Sequence, residues 1–214
     1  MKVFSSWSGG KESALATYKA ISQSHEILYL VNFVSEDGAR SRSHGIKSEV
    51  LALQAETIGI PLIQVQTSWE NYEENFKKVV MELKEKGIEG GVFGDMELDE
   101  HKEWVDRVCS EVGIKAFLPL WGIKSEELID EFLRLRFEAI VIATTLKENL
   151  LGRVLDKALV NQIAKLGAHP CGEKGEYHTL VTSGPIFKRA LKVTQGKKGK
   201  RDNVWFLEIS AELQ

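Results

Sequence analysis

Six consecutive residues near the N-terminus, Ser8-Gly9-Gly10-Lys11-Glu12-Ser13, follow a β-prone run and open a helical pattern. Two adjacent glycines let a backbone turn tightly and bring its N–H groups close to a ligand. A helix starting at the same place points its free N–H groups and the positive end of its dipole toward that spot. Lys11 adds a full charge, and Ser8 and Ser13 add hydroxyl donors. Together they form an anion cradle sized for phosphate. The spacing is neither that of a Walker A loop, which needs four residues before its Gly-Lys-Ser/Thr, nor GxGxxG. Gly94-Asp95 follows another strand-like run. An aspartate at the carboxyl end of a strand can hold Mg²⁺ or a water beside phosphates, although taken alone this residue fits a helix N-cap or turn better.

A second cluster spans His169-Pro170-Cys171-Gly172-Glu173-Lys174-Gly175-Glu176-Tyr177-His178-Thr179. Glu173 and Glu176 can accept hydrogen bonds from an amine or ammonium group, or act as bases. His178 can shuttle protons. With one cysteine and no second metal-type pair, the cluster is a poor zinc site. Trp121 closes the run Pro119-Leu120-Trp121; it can floor a ligand pocket, and core packing explains it as well.

The elements that must position these residues alternate. Apolar runs of strand length cover 2–6, 27–34, 62–65, 91–95 and 116–121, with amphipathic helical patterns between them. Residues 27–34 are almost continuously apolar, as in a strand covered on both faces. The order predicts a parallel five-stranded sheet of Rossmann-like α/β type. Polar residues 35–44 read as a long loop. Asn71-Tyr72-Glu73-Glu74 resembles a capped helix start. Cys109 falls on an apolar helix face and reads as core, His25 as surface and His44 as a solvated loop residue. Beyond Trp121 the rhythm changes: a helix over 126–136, a strand over 138–144, a long helix over 147–166 and a glycine-rich loop over 167–175. Strands then follow over 177–182, 187–194 and 204–212, with the basic run 196–201 as a hairpin turn. A boundary at Gly122 gives domains 1–122 and 123–214, the second smaller and α+β.

Composition narrows the classes. The chain has 214 residues, 43% hydrophobic and 28% charged, an ordinary globular make-up. A net charge of −3 and a pI near 6.0 argue against bulk nucleic-acid binding. Two cysteines are too few for a disulfide scaffold. No apolar run reaches the roughly 18 residues of a membrane span, and no signal-peptide core is visible. The chain is therefore expected to be cytoplasmic, without membrane contact; self-association stays open.

The SGGKES loop resembles the PP-loop of ATP pyrophosphatases, usually SGG-x-DS, with Glu12 in place of the family's Asp. Gly172-Glu173-x-Gly175-Glu176-Tyr177-His178-Thr179 resembles the C-terminal signature of the diphthine–ammonia ligase (diphthamide synthetase) family. Leu151-Gly152-Arg153 with Asp156, Gly184-Pro185-Ile186-Phe187, Gly94-Asp95 and Pro119-Leu120-Trp121 match its pattern, over essentially the whole chain. Departures are His101-Lys102, where the family often has Gln-Arg, and His169 in place of a common Asp.

The resemblance implies an N-terminal PP-loop domain with strand order 3-2-1-4-5. It implies a ligase that uses ATP and ammonium to convert the diphthine carboxylate of elongation factor 2 to an amide, releasing AMP and pyrophosphate. Ser8, Gly9, Gly10, Lys11, Glu12, Ser13, Gly94 and Asp95 are then the expected ATP contacts, with Asp95 at Mg²⁺. Trp121, Glu173, Gly175, Glu176, Tyr177, His178 and Thr179 are the expected substrate contacts. Lys11, Glu173, Glu176 and His178 are the expected catalytic groups. Tyr177 or Trp121 would offer an aromatic face to the trimethylammonium of diphthine. Two alternatives remain at this stage: a PP-loop enzyme adenylating another carboxylate or a tRNA, and a nucleotide-binding sensor without chemistry.

Overall fold

The computed structural model of the chain describes residues 1–213. It divides into two compact units, and the division does not follow the chain simply. The first holds Met1–Ser8, Glu12–Ser48 and Ile60–Gly122; the second holds Gly9–Lys11, Glu49–Gly59 and the chain from Ile123 onward.

The first unit is built on five parallel strands: β1 (Lys2–Ser6), β2 (Glu26–Val34), β3 (Leu62–Gln66), β4 (Gly90–Val92) and β5 (Lys115–Phe117). Their order is β3-β2-β1-β4-β5, as expected. The helices α1 (Lys11–Ser22), α3 (Tyr72–Glu85) and α4 (Asp99–Val112) connect them, together with α2 (Ser48–Ile58), most of which belongs to the second unit. One core joins Phe4, Val31 and Phe33 of the sheet to Phe76, Val80 and Leu83 of α3 and Val105 and Val108 of α4. Its rings interlock, with Phe4 edge-on to Phe76 at 6.3 Å and to Phe93 at 5.9 Å. Cys109 lies in this core, and burial, aided by the charge of Asp106, pushes its thiol up to about 12.

Several local expectations change. Asn71 stands at the start of α3, but its side chain caps nothing. Its φ of −101° and ψ of 7° lack the extended backbone that a side-chain cap requires. Glu73 instead reaches α4, accepting hydrogen bonds from Trp104 Nε1 (3.0 Å) and Arg107. β4 and β5 are shorter than expected, so Asp95 and Trp121 lie in the connections beyond them. His25 is half-buried, its ring 4.4 Å from that of Phe117.

The second unit carries a sheet of order β7-β6-β9-β8, made by β6 (Glu138–Thr144), β7 (Tyr177–Ser183), β8 (Leu191–Arg201) and β9 (Val204–Leu213), all antiparallel. Its helices include α5 (Ser125–Arg134) and α6 (Lys157–Lys165). The long helix expected over 147–166 is broken. Only a 3₁₀ turn, Glu148–Leu150, precedes the break, because residues 152–155 hydrogen-bond to β6. Gly152 N donates to Val141 O (2.8 Å) and Leu155 N to Ala139 O (2.8 Å). Asp156 then caps α6, its carboxylate accepting from Leu159 N at 2.6 Å. The basic run 196–201 is not a turn. It lies within β8, and the turn comes after it, with Asp202 at φ 53°.

Candidate functional site

The glycine-rich loop is a strand-to-helix junction fixed from several sides. Trp7 N donates to Val31 O (2.8 Å), extending the β1–β2 pairing by one residue, and the Asn32 side-chain amide donates to Trp7 O (2.8 Å). Gly9 turns the chain at φ +81°, where a side chain would be strained. Ser8 Oγ donates to Ser13 Oγ (3.1 Å), and Thr17 Oγ1 donates to Ser13 O (2.7 Å). Gly94 lies against the first turn of α1. A Cβ there would stand 3.0 Å from Glu12 C and 3.1 Å from both Glu12 Cβ and Ser13 N. Asp95 follows, with Oδ1 3.1 Å from His101 Nδ1. Burial, with the charge of Asp95 behind it, pushes the Tyr72 phenol up to about 12.

The tip of the loop, Gly9–Lys11, belongs to the second unit. Gly9 O accepts from Val181 N (2.9 Å) and from Gln54 Nε2 (3.1 Å), and Gln54 Nε2 also donates to Val181 O (2.7 Å). Lys11 N donates to Thr179 Oγ1 (3.2 Å). The Lys11 ammonium, in a residue only 2% exposed, donates to Cys171 O (2.6 Å) and lies 4.5 Å from the centroid of the Tyr177 ring. Tyr177 and Thr179 alternate along β7 and meet the tip with side chains of one face, while Val181 meets it through its backbone.

The segment leading into β7 is organised by its own side chains. The Glu176 carboxylate accepts from the backbone N–H groups of His169 and Lys174, both at 2.9 Å. Burial alone would raise its pKa, but the amides of His169, Glu176 and Lys174 outweigh it and hold the carboxyl below the ordinary value. His169 Nδ1 accepts from Cys171 N (3.3 Å) and Glu173 N (3.4 Å), which leaves its Nε2–H to donate to Ser125 Oγ (2.9 Å). Tyr177 OH donates to Pro170 O (2.5 Å). Burial first, then the charge of Lys11, pushes His178 down to about 4. Near pH 7 its imidazole is neutral, and so a proton acceptor before it is a donor.

Of the residues singled out from sequence, the structure joins Gly9 and Lys11 to Tyr177 and Thr179, with Glu173, Gly175, Glu176 and His178 on the same segment. Ser8, Glu12, Ser13, Gly94, Asp95 and Trp121 belong to the first unit. Both aromatic faces considered for a quaternary ammonium hold a lysine here: Lys11 over Tyr177, and Lys102 over Trp121 at 5.8 Å. Gln54 and Ser125 were not expected to matter, and His169, counted in the second cluster, was given no role of its own. Gln54 had a signal, being a polar residue among Val50, Leu51, Ala55 and Ile58 on the apolar face of α2, and it is fully buried. Among the described residues, no group of three His, Cys, Asp or Glu side chains could hold a metal. A metal at Asp95 would therefore take most of its ligands from elsewhere.

A 3-2-1-4-5 parallel sheet with a glycine-rich loop after β1, joined to a smaller antiparallel sheet, defines a Rossmann-like α/β protein with an added C-terminal unit. Family comparison is more specific. The model for the diphthamide synthase N-terminal domain matches residues 1–116, and that for the diphthamide synthase C-terminal domain matches residues 124–212. The chain belongs to the diphthamide synthase family, a family of enzymes. It is 29% identical to a Schizosaccharomyces pombe protein over 99% of this chain, and spans 39% of that protein's length. Rat and human proteins are each 28% identical over 90% of this chain and 83% of theirs. All three bear the name diphthine–ammonia ligase. A solved structure from Methanocaldococcus jannaschii, described as a predicted tRNA methyltransferase subunit, aligns with 86% of this chain and 100% of its own, at 14% identity and a TM-score of 0.47. No helix among the described residues is long and apolar enough to cross a membrane.

Proposed function

We propose that this chain is an ATP-dependent ligase that amidates the diphthine carboxylate of elongation factor 2 with ammonium, giving AMP and pyrophosphate. The observation that carries this reading is the seating of Lys11, the charged residue of the glycine-rich loop, on the Cys171 carbonyl and the Tyr177 ring of the C-terminal signature. The names of the relatives, and the match of both domain models, support it.

A carboxylate does not react with ammonia at neutral pH, because oxide would have to leave. Attack of a carboxylate oxygen on the α-phosphorus breaks the α–β bridging bond, releases pyrophosphate and leaves an acyl-adenylate. Ammonia, formed as ammonium loses a proton, attacks the acyl carbon and expels AMP. A second proton is lost as the amide forms.

In this reading the N–H groups of the loop, Ser8, Lys11 and Ser13 hold the phosphates. Asp95 is the residue that would hold Mg²⁺, which usually takes one or two carboxylates plus substrate phosphates. Bound there, the ion would offset phosphate charge. His178, neutral near pH 7, accepts a proton, and Glu173 is the segment's second carboxylate assigned to the chemistry. Glu176 keeps the segment in shape through its two amide contacts.

The test is a product assay with purified protein, ATP, Mg²⁺, ammonium and elongation factor 2 bearing diphthine. AMP should form and the modified peptide should change from acid to amide. AMP without amidation would redirect the search to another carboxylate or an RNA. ATP bound but never cleaved would favour a sensor.

A further inference from the structure

The contacts of β7 raise a question about its signature residues. Tyr177 is 1% exposed and Thr179 is 1% exposed, so neither presents a surface on which an acceptor substrate could rest. Each instead touches the loop tip. Thr179 Oγ1 takes the Lys11 backbone N–H, and the Tyr177 ring lies under the Lys11 ammonium.

A buried ammonium is unfavourable unless neighbours replace its hydration. The Cys171 carbonyl supplies one hydrogen-bond acceptor, and the Tyr177 face supplies an electrostatic attraction. A π-face attracts the charge without dictating where each N–H points, so it holds the lysine in place and leaves it able to turn toward an anion. The ring is itself fixed, because Tyr177 OH donates to Pro170 O and a Cβ on Gly172 would lie 2.9 Å from Tyr177 Cδ1. Pro170 and Cys171 belong to the turn that His169 and Glu176 organise.

We propose that β7 and the Cys171 carbonyl form the seat of the loop lysine, which makes Tyr177 and Thr179 positioning residues for the polyphosphate grip rather than contacts for the acceptor substrate. The proposal rests on the polyphosphate role given above to the loop, and it deepens that reading. It has a consequence for the same segment. An anion drawn to Lys11 competes with the Cys171 carbonyl and neutralises the charge felt by His178, so occupancy of the loop is sensed along β7.

The experiment combines calorimetric titration of the full chain with inorganic pyrophosphate and ATP, and NMR pH titration of the His178 ring. In the wild type, saturating pyrophosphate should raise the His178 pKa. Tyr177→Leu should weaken pyrophosphate binding by about tenfold or more. Tyr177→Phe, which keeps the face, should restore it to within about threefold of wild type. Thr179→Val should weaken it by about threefold. Wild-type affinity in a folded Tyr177→Leu protein would overturn the proposal. So would a His178 pKa unmoved by saturating pyrophosphate, a measurement that needs no variant and stands even if Tyr177→Leu fails to fold. A wild-type chain that binds neither pyrophosphate nor ATP would overturn the polyphosphate reading itself, a result distinct from both.

Discussion

The two motif-bearing regions treat their polar groups in opposite ways. The glycine-rich loop is held from outside: Asn32 fixes the carbonyl of Trp7, Gln54 that of Gly9, and Thr179 takes the N–H of Lys11. The segment from His169 to Glu176 is held from within. Glu176 and His169 bind the amides of their own turn, while from outside it Ser125 meets His169, the Tyr177 hydroxyl meets the Pro170 carbonyl and the Lys11 ammonium meets the Cys171 carbonyl. A loop braced by neighbours keeps its shape when an anion arrives and is pre-organised for it. A segment braced by its own carboxylate is sensitive to a single atom of that carboxylate. The comparison therefore predicts where substitutions should strike phosphate binding and where they should strike the amidation step.

The largest effect belongs to Lys11. Lys11→Ala removes the only full positive charge of the cradle and should cut ATP cleavage by roughly two to three orders of magnitude, the scale for losing a preorganised stabilising group. The cost in stability, from a Cys171 carbonyl left without its donor, should be only about 1–3 kcal/mol. AMP release and a urea titration measure the two. Near-normal turnover in the folded variant would remove the loop from the chemistry.

Acid pH comes next. His178 is pushed down to about 4 in the folded chain from an ordinary value of 6.5, so the unfolded chain binds its proton first. Stability contributed by the neutral imidazole is fully present above pH 6.5 and falls as pH drops from there toward 4. Between pH 7 and 5 the loss should be at most about 2 kcal/mol. Glu176, held below 4.5, makes its own loss only at lower pH. The urea midpoint at the two pH values measures this, and His178→Asn should flatten the difference. An equal slope in that variant would mean the buried histidine is not its source.

Glu176→Gln sharpens the comparison. Glutamine has one carbonyl oxygen for two amide donors and turns an NH₂ toward the other. The turn should loosen, with amidation falling about tenfold while ATP affinity stays within about twofold. Equal losses in both would show that the segment is no more self-contained than the loop.

Much of this was legible in the sequence, and the parts that were not share a cause. The alternating apolar runs and the near-continuous β2 prescribe the parallel sheet, because burial on both faces leaves few other arrangements. The loop motif is local, and its glycines and lysine are read directly. The helix expected over 147–166 fails because Leu151–Leu155 has apolar spacing compatible with a helix while β6 offers its backbone partners. The basic run in β8 reads as a solvated turn because its cations suit an exposed strand equally well. Gln54, and the role of Tyr177 as the bed of Lys11, depend on contacts between residues 127 and 166 positions apart in sequence, which no local pattern encodes.

Gly94→Ala has the smallest effect and the sharpest geometry. The added methyl would stand 3.0–3.1 Å from the backbone of Glu12 and Ser13, tighter than ordinary packing, and neither neighbour is the far end of a flexible side chain. The first turn of α1 must shift by a few tenths of an ångström. If the loop binds phosphate through its N–H groups, such a shift misaims them, and KM for ATP should rise about three- to tenfold with kcat changed much less. The signature segment is braced from within, so affinity for the diphthine-bearing protein should be unaltered. A fall in kcat at unchanged KM would place the contact of Gly94 with α1 in the transition state rather than in ground-state binding, and would make the loop, not the segment, the more sensitive of the two regions.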